Sequence, residues 1–404
     1  MPVPEFCSNP NCPNHTDPPP HWRARFGSYP TKAHGTVRRY RCRICHTTVS
    51  DQTESIYYFA KRRVPLRAAT ACLNSGSSLR EIARRYRVSS AAVRNAVLRL
   101  GRQAMAAQII MLAHMDPRTD LVFDGLRSFV TSQDYPCDIT TVVDAHSEVI
   151  LTMAHSIFIR GGTMTVKQKR RLWRKLLVWR PERGSMRRDI QLLVKELWDY
   201  LRPRPEGGSI IDTDEHRMYP GAIREYAAGR HYLSGQLVRH RRTPGRAPRT
   251  FDNPLFPVNN VDRMLRHRVK EHTRETIAFG RHAVVQMHRA WIFAWDFNMR
   301  REYRVKRPEA GVHAEQGVIE SSLIRRITRE FFRRRLSVRR LAVPATIGRV
   351  WEGRLATPPV RWRKGQRGTA VRVPGFARRD LAEGIMQPEE AGLGMVKRSS
   401  AAVA

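Results

Sequence analysis

The sequence predicts an α/β protein in which a mixed β-sheet flanked by helices follows a small cysteine-containing unit and a helical unit. Three observations predict it. Two close pairs of cysteines lie within the first 45 residues, and residues 61–115 have apolar side chains at helical spacing. From residue 120 onward, short β-branched runs end in aspartates, and segments of helical spacing follow them.

Charge and composition narrow the class of partner. The chain has 404 residues, enough for two or three domains, and 41% of them are hydrophobic, so a proper core can form. The formal net charge is +37, and a surface this basic favours a polyanion, because neutralised phosphates release counterions. An anionic membrane is the rival partner, but the sequence has no apolar run approaching ~18 residues and no signal peptide. We expect a cytoplasmic protein that acts on nucleic acid.

Residues 1–60 are interpreted as a zinc-binding unit. Cys7 and Cys12 form one pair, and Cys42 and Cys45 form the other. Each pair can turn two thiolates toward one ion, and four thiolates complete a tetrahedral Zn²⁺ site. The second pair lies in RRYRCRICHTTVS, which is typical of a strand, knuckle and strand, whereas the stretch between the pairs is expected to be a loop. The alternative is a set of free thiols in a disordered arm.

Residues 61–115 are predicted to be a helix-turn-helix unit that continues into a linker helix. A first helix stops near Gly76, and Ser78 with Glu81 has the spacing of a capping box. Ser90 is expected to cap the next helix, which would enter a DNA major groove. The candidate DNA contacts in this unit are Arg84, Arg94 and Arg99. The alternative is a helical hairpin with basic, solvated faces.

Residues 116–160 are predicted to form three consecutive antiparallel strands. The apolar runs LVF and ITTVV lead into Asp124 and Asp144, and VILTMAHS forms the third strand. A carboxylate leaving a buried strand is costly unless it is paired or functional. Asp124 is the candidate for chemistry, whereas the other acids of this stretch are assigned loop or turn roles, namely Asp134, Asp138 and Asp144.

A basic helical insertion, 161–206, comes next. Its large apolar residues are expected to be core rather than platforms for nucleic-acid bases, and they are Trp173, Trp179, Leu193, Leu197 and Trp198. The apolar strand SII then runs into Asp212 and Asp214. Both acids would point to the same face of a strand, so alternation alone does not choose between them.

The stretch from residue 261 to residue 300 is predicted to form one or two helices. Asp262 lies in the first turn, and Glu271 lies farther along. Basic residues surround them, of which Arg266, Arg268 and Lys270 are candidate DNA contacts. The apolar second half, WIFAWDF, is expected to pack against the sheet. Residues 321–404 are predicted to contain a basic helix, with a disordered end after about Ala356.

Taken in this order, the pieces resemble bacterial insertion-sequence transposases of the DDE type that carry an N-terminal zinc ribbon. FDGLRSFV is similar to the family's first-strand motif, TTVVDAHSEVIL to its second strand, and IIDTDEHRMYP to its motif of TD plus tyrosine. VNNVDRMLRHRVKEHTRETIAFGRH resembles its final helix, and HAEQGVI a short segment that follows. The resemblance covers roughly residues 1–320 and implies an RNase H-like catalytic domain over 116–320.

The resemblance also implies a site and a reaction. Asp214 rather than Asp212 becomes the second catalytic acid, beside Asp124. The third position falls on Asp262, where the family usually has glutamate, and Glu271 is the rival. These acids would hold two Mg²⁺ (or Mn²⁺) ions ~3.5–4 Å apart. The expected partners are double-stranded DNA, as element ends and target, and further copies of the chain in an oligomer on DNA. The alternatives are a DNA-binding regulator with an inert domain, and a nuclease that cuts without joining.

Overall fold

The structure is a computed structural model that describes residues 3–115, 120–197, 209–224, 238–273, 278–338, 341–359, 371 and 373–381. Within these ranges the strands form two sheets, one of three strands and one of five. The strands are β1 Arg23–Thr31, β2 Gly35–Cys42, β3 Thr48–Ser50, β4 Leu121–Phe129, β5 Pro136–Asp144, β6 Ile150–Ile157, β7 Ser209–Asp214 and β8 Val238–Thr243.

Helices surround the larger sheet and form the unit between the two sheets. The first six helices are α1 Pro13–Thr16, α2 Leu66–Asn74, α3 Leu79–Arg85, α4 Ser90–Leu112, α5 Val166–Val178 and α6 Ser185–Leu197. Residues 218–224 are helical as well and are called α7. The later helices are α8 Phe256–Arg268, α9 Ala283–Arg300, α10 His313–Gln316, α11 Ser321–Glu330, α12 Ala345–Trp351 and α13 Gly375–Arg379. Within the described ranges, no helix combines the length and the apolar composition needed to cross a membrane.

The N-terminal sheet has the order β1-β2-β3 and is antiparallel throughout. The predicted strand, knuckle and strand around Cys42 and Cys45 is confirmed by β2 and β3. The expected loop between the cysteine pairs is wrong in part, because Arg23–Thr31 forms β1. Most of β1 is exposed or half-exposed, so it lacks the apolar alternation by which a strand is recognised in sequence.

The helical unit begins as predicted. The Ser78 hydroxyl accepts a hydrogen bond from the Glu81 amide at 3.3 Å, and the Glu81 carboxylate accepts one from the Ser78 amide at 2.6 Å. The expected cap at Ser90 is wrong by one residue. Ser89 is extended and its hydroxyl accepts from the Ala92 amide at 3.1 Å, whereas Ser90 is already helical.

Helix α4 is a core element rather than the expected linker. It runs unbroken to Leu112 and packs along α9, and most of its residues are buried. At Gly101 the two helices come so close that a Cβ would lie 2.5 Å from the Cδ2 atom of His288. One continuous hydrophobic core therefore runs from Ile56 to Leu381, across the boundary predicted at residue 115.

The five-stranded sheet has the order β6-β5-β4-β7-β8. The prediction of three consecutive antiparallel strands is confirmed by the pairing of β4 with β5 and of β5 with β6. Strand β7 then joins the other edge of β4 in parallel, and β8 pairs with β7 in parallel. This order makes β4 the central strand, with Asp124 in its middle.

The predicted helices of the insertion are confirmed as α5 and α6. Some of its large apolar residues are buried, and one is exposed. Leu193 and Leu197 are buried, and Trp179 is partly buried with its ring 5.2 Å from that of Tyr135. The expectation of a core role is wrong for Trp173, which is 60% exposed. Leu172 and Leu176 supply the buried stripe of α5, and residue 173 is turned about 100° away from it. Trp198 lies outside the described residues.

The predicted stretch from residue 261 to residue 300 is two helices, α8 and α9. Helix α9 is buried along most of its length and contacts β6 as well as α4, so its apolar second half does reach the sheet. The basic helix predicted after residue 320 is α11. The expected disorder after Ala356 does not hold for 373–381, since α13 packs there and Ala377 accepts a hydrogen bond from the Trp351 indole at 2.9 Å. Residues 382–404 lie outside the described residues.

Candidate functional site

The four predicted zinc ligands come together. The Sγ atoms of Cys7, Cys12, Cys42 and Cys45 all lie within 4.8 Å of one another, and all but Cys45 are buried. Burial raises the pKa of the Cys7 thiol. Burial also raises the pKa of Cys45, but hydrogen bonds from Thr47, Cys7 and Cys12 together outweigh it and lower that pKa to about 6. Thiolate is the form that binds metal, so four close cysteines of this kind can hold one zinc ion.

The predicted DNA-contact arginines of the helical unit differ in exposure. Arg84 and Arg94 are exposed, and Arg84 lines a shallow cleft with Arg80 and Arg87 at the start of α4. Arg99, the third candidate DNA contact, faces the protein interior instead. Its guanidinium donates to the Ile56 carbonyl at 3.0 Å, and burial lowers its pKa to about 10. Helix α4 turns this side chain inward because that face packs against the rest of the protein.

The three predicted acids are drawn from three elements that meet at β4. Asp124 lies in β4, and Asp214 ends β7, the parallel neighbour that is in register with β4 up to Phe123 and Thr213. The third acid, Asp262, lies in α8, which packs against β4 and β5. Two neighbouring parallel strands and a helix that packs on β4 therefore bring residues up to 138 positions apart in the sequence into one region.

These carboxylates influence one another electrostatically. Burial, together with the charges of Asp214 and Asp138, raises the pKa of Asp124 to about 6. Burial and the charge of Asp124 raise the pKa of Asp262 well above its usual range, which Arg266 only partly offsets. The Asp262 side chain is buried, and its Oδ1 atom has no hydrogen-bond partner. The cluster thus carries more negative charge than its described neighbours neutralise.

Asp138 is a fourth acid of this cluster, and the assignment of a loop or turn role to it was wrong. It lies within β5, is fully buried, and accepts a hydrogen bond from the Thr140 hydroxyl at 2.8 Å. Its carboxylate fills the space beside Gly125, where a Cβ would lie 2.4 Å from Oδ1. The sequence signal that could have found it is Gly125 itself, a glycine in the middle of a buried strand that marks a close approach.

Tyr219, in α7, is the second residue that sequence reasoning did not assign. Its side chain is buried, and its hydroxyl has no hydrogen-bond partner. Burial, and then the charges of Asp138, Asp124, Asp214 and Asp262, raise its pKa well above its usual range. All four acids therefore lie within electrostatic range of one buried phenol.

The rival acids belong to ion pairs elsewhere. Asp212 is bound by Arg241 of β8 through two hydrogen bonds, at 2.5 and 2.8 Å. Glu271 lies in a 3-10 turn after α8 and pairs with the buried guanidinium of Arg289 at 3.4 Å. Arg241 binds both oxygens of Asp212, whereas Arg289 binds one oxygen of Glu271 and leaves its Oε1 atom without a hydrogen-bond partner.

Of the acids given loop or turn roles, two match the expectation. Asp134 is bound by Arg171 and Lys175, and Asp144 accepts hydrogen bonds from residues of the turn that follows it. Of the three predicted basic contacts near the third acid, Arg266 acts on Asp262, as Arg249 also does. Arg268 acts on Asp296 in α9, and Lys270 acts on Glu81 in α3. Lys270 is thus directed toward the helical unit and Arg268 toward α9.

No family model matches this chain, and no curated protein is similar to it.

The donor chemistry of the acidic cluster suits a hard divalent cation. Carboxylate oxygens are the ligands that Mg²⁺ and Mn²⁺ prefer, and a cation would neutralise the unpartnered oxygen of Asp262. Among the described residues, only the four cysteines bring three or more ligand atoms within 4.8 Å of one another. Ligands of two different ions need not touch, so a two-ion site does not require the acids to form so close a group.

Proposed function

We propose that this protein is a DNA transposase of the DDE type, which cuts and joins DNA at its acidic cluster. The observation that carries the proposal is that Asp124 and Asp214, half-buried on neighbouring parallel strands, interact electrostatically with each other and with the buried Asp262 of a helix that packs on β4. Carboxylates in a low-dielectric site that repel one another are stable together only when protonated or bound to a cation. Phosphoryl transfer with divalent metals uses such a site.

The sheet supports an RNase H-like fold for the catalytic domain. Three antiparallel strands in sequence, followed by two strands that extend the other edge of the first in parallel, give the order β6-β5-β4-β7-β8. The first acid lies on the central strand of that sheet, and the second lies on its parallel neighbour. The sequence resemblance to DDE transposases implies this same arrangement.

The residues have distinct roles in the proposed reaction. Asp124, on the central strand, would hold both ions, while Asp214 and Asp262 would each hold one. Two bound ions supply an activated attacking oxygen and stabilise the leaving oxygen in an in-line displacement at phosphorus. The protein itself positions the groups, so no side chain has to act as a nucleophile. Tyr219, a buried phenol whose hydroxyl has no hydrogen-bond partner, lies within electrostatic range of all four acids.

The rest of the chain supports double-stranded DNA as the substrate. The net charge of +37 favours a polyanion, and Arg80, Arg84 and Arg87 surround the start of α4, which would enter the major groove. The cysteine cluster would hold a structural Zn²⁺ in a ribbon next to this unit. We propose that the protein works as an oligomer on paired element ends, in the bacterial cytoplasm at the nucleoid.

The test is cleavage and strand transfer on DNA that carries the sequences flanking the gene, with Mg²⁺. We expect Asp124→Asn, Asp214→Asn and Asp262→Asn each to reduce both products at least about 100-fold. Asp252→Asn, which removes an exposed acid, is the matched control. In Asp214→Cys, Mn²⁺ should restore part of the activity lost with Mg²⁺, because thiolate prefers the softer ion.

Each other outcome contradicts a different part of the proposal. Full activity of Asp124→Asn would exclude the acidic site. Cleavage without joining, on ends that are already cut, would indicate a nuclease. DNA binding without either product would indicate a regulator. Loss of activity in Glu271→Gln but not in Asp262→Asn would move the third acid to Glu271.

A further inference from the structure

Arg127 is a half-exposed arginine at the edge of the acidic cluster. It lies on β4, three residues after Asp124, and 47% of its side chain is exposed. Its cross-strand partner on β5 is the buried acid Asp138. A basic side chain in this place is directed both toward the cluster and toward solvent.

Three partners hold the Arg127 guanidinium. Its Nε atom lies 3.2 Å from Oδ1 of Asp138, and its Nη2 atom lies 3.3 Å from Nε2 of His216. Its central carbon lies 4.6 Å from the centroid of the Phe158 ring, at cation–π distance. A side chain that normally has much rotamer freedom is therefore fixed on two edges and one face, and its conformational entropy is already lost.

His216 connects this arginine to the acid on β7. The backbone amide of His216 donates to Oδ1 of Asp214 at 2.9 Å, and the His216 ring is 6.2 Å from that of Tyr219. The guanidinium is thus positioned relative to Asp214 by two short connections. Its exposed edge presents N–H donors to any molecule that approaches the acids from solvent.

We infer that Arg127 binds a phosphodiester oxygen of the DNA strand at the acidic cluster, and that Asp138 is its positioning residue. The inference rests on the proposed function, because it takes DNA as the molecule that approaches. A planar guanidinium with fixed donors matches phosphate geometry well. Its charge also offsets the repulsion between the acids and an incoming phosphate.

The arrangement accounts for the burial of Asp138. A fully buried carboxylate beside an obligatory glycine is costly, and its Oδ1 atom makes no hydrogen bond. The ion pair with Arg127 offsets part of that cost and sets the orientation of the guanidinium. Asp138 would therefore act on DNA only through Arg127, whereas Asp124 and Asp214 would act on it through metal.

The first test is the salt dependence of binding to a short DNA duplex of mixed sequence, in the Asp124→Asn background so that no strand is cut. Each phosphate contact contributes about 0.9 to the slope of log affinity against log salt. We expect Arg127→Ala to reduce that slope by about 0.9 and Arg127→Lys to restore it. Arg349→Ala is the matched control, because Arg349 is also a half-exposed arginine paired with a buried aspartate, Asp189. An unchanged slope in Arg127→Ala would overturn the inference.

The second test separates positioning from metal binding. We expect Asp138→Asn to weaken DNA binding, and the double variant Arg127→Ala/Asp138→Asn to bind no worse than Arg127→Ala alone, because both changes remove one interaction. Additive losses, or a raised Mg²⁺ requirement in Asp138→Asn alone, would overturn the positioning role. If Asp138→Asn does not fold, the salt dependence of DNA binding by the Arg127 variants still shows whether Arg127 contacts a phosphate.

The two proposals fail in different ways. If the protein cuts no DNA but Arg127→Ala still changes the salt slope, the transposase proposal fails and the phosphate contact stands. If the protein cuts and joins DNA while the slope is unchanged, only the role of Arg127 fails.

Discussion

At the scale of single residues, the site depends on a glycine, Gly125, which has no side chain. Gly125 leaves the space that the Asp138 carboxylate occupies, and this contact crosses from β4 to β5. An aspartate followed by glycine is visible in the sequence, but the residue that needs the space lies 13 positions away. Only pairing of the two strands connects them.

Gly125→Ala should therefore destabilise the protein and distort the cluster. Its Cβ would lie 2.4 Å from Asp138 Oδ1, and overpacking of this kind costs about 1–3 kcal/mol in the free energy of unfolding. Urea denaturation measures the loss. Gly161→Ala is the matched control, since a Cβ there meets nothing within 4 Å. Equal stability of the two variants would show that the strands separate easily at Gly125.

At the scale of elements, the buried contact between α6 and α12 contains a carboxyl group whose protonation depends on pH. Glu196 accepts hydrogen bonds from the amide and the hydroxyl of Thr346, at 2.8 and 2.5 Å. Burial nonetheless raises its pKa from the usual 4.5 to about 7. The folded protein thus holds this proton more tightly than the unfolded chain does.

The consequence is a loss of stability as the pH rises from about 4.5 to about 7. In that window the folded state keeps the Glu196 proton while the unfolded chain releases it, so unfolding becomes easier. Glu196→Gln removes this dependence. Between pH 5 and pH 8, we expect the free energy of unfolding to fall by about 2–3 kcal/mol less in the variant than in the wild type. Chemical denaturation at pH 5 and at pH 8 measures this difference. Equal losses of stability in the variant and the wild type would contradict the raised pKa of Glu196.

The N-terminal sheet has a separate small core that includes three of the four cysteines, Trp22, Tyr40 and Val49. So small a core needs a metal to be stable. The purified protein should contain one zinc, which Cys42→Ser and Cys45→Ser abolish and Cys72→Ser does not. Elemental analysis measures the metal, and circular dichroism should show loss of this sheet after chelation. A zinc content unaffected by the Cys42 and Cys45 changes would exclude the site.

At the scale of the whole molecule, the C-terminal segment joins the units into one body. Arg335 donates to the Thr53 carbonyl at 2.6 Å and pairs with Asp380 at 3.0 Å, and Arg334 pairs with Glu54 at 3.0 Å. Gln103 of α4 also donates to the Phe331 carbonyl at 2.9 Å. The end of the segment predicted as a basic helix thus binds the helical unit and the chain that leads from the N-terminal sheet.

Arg335→Ala should reduce the stability of the whole protein rather than of a terminal segment. It leaves the buried Asp380 carboxylate without its partner, which costs about 3–5 kcal/mol. Arg333→Ala, which removes an exposed arginine two residues earlier, should cost little. A single unfolding transition that moves to lower temperature only in Arg335→Ala would support one cooperative body. A second, separate transition would contradict it.

The sequence by itself determined the local features. Cysteine spacing, the capping box at Ser78 and the β-branched runs before Asp124 and Asp144 depend on neighbours a few residues away, and the structure has each of them. Asp124 was also recognisable because it interrupts an apolar run, whereas the choice of Asp214 over Asp212 came only from the family resemblance. Strand β1 was missed because polar side chains cover it.

Only the tertiary structure decided which distant groups meet. It turned Arg99 inward, paired Asp212 with Arg241 and Glu271 with Arg289, and added Asp138 and Tyr219 to the acids. Each of these depends on the order of strands in the sheet or on the packing of a helix on another element. Periodicity states which face of an element is apolar, but the partner of a buried charge is set by whatever element covers that face.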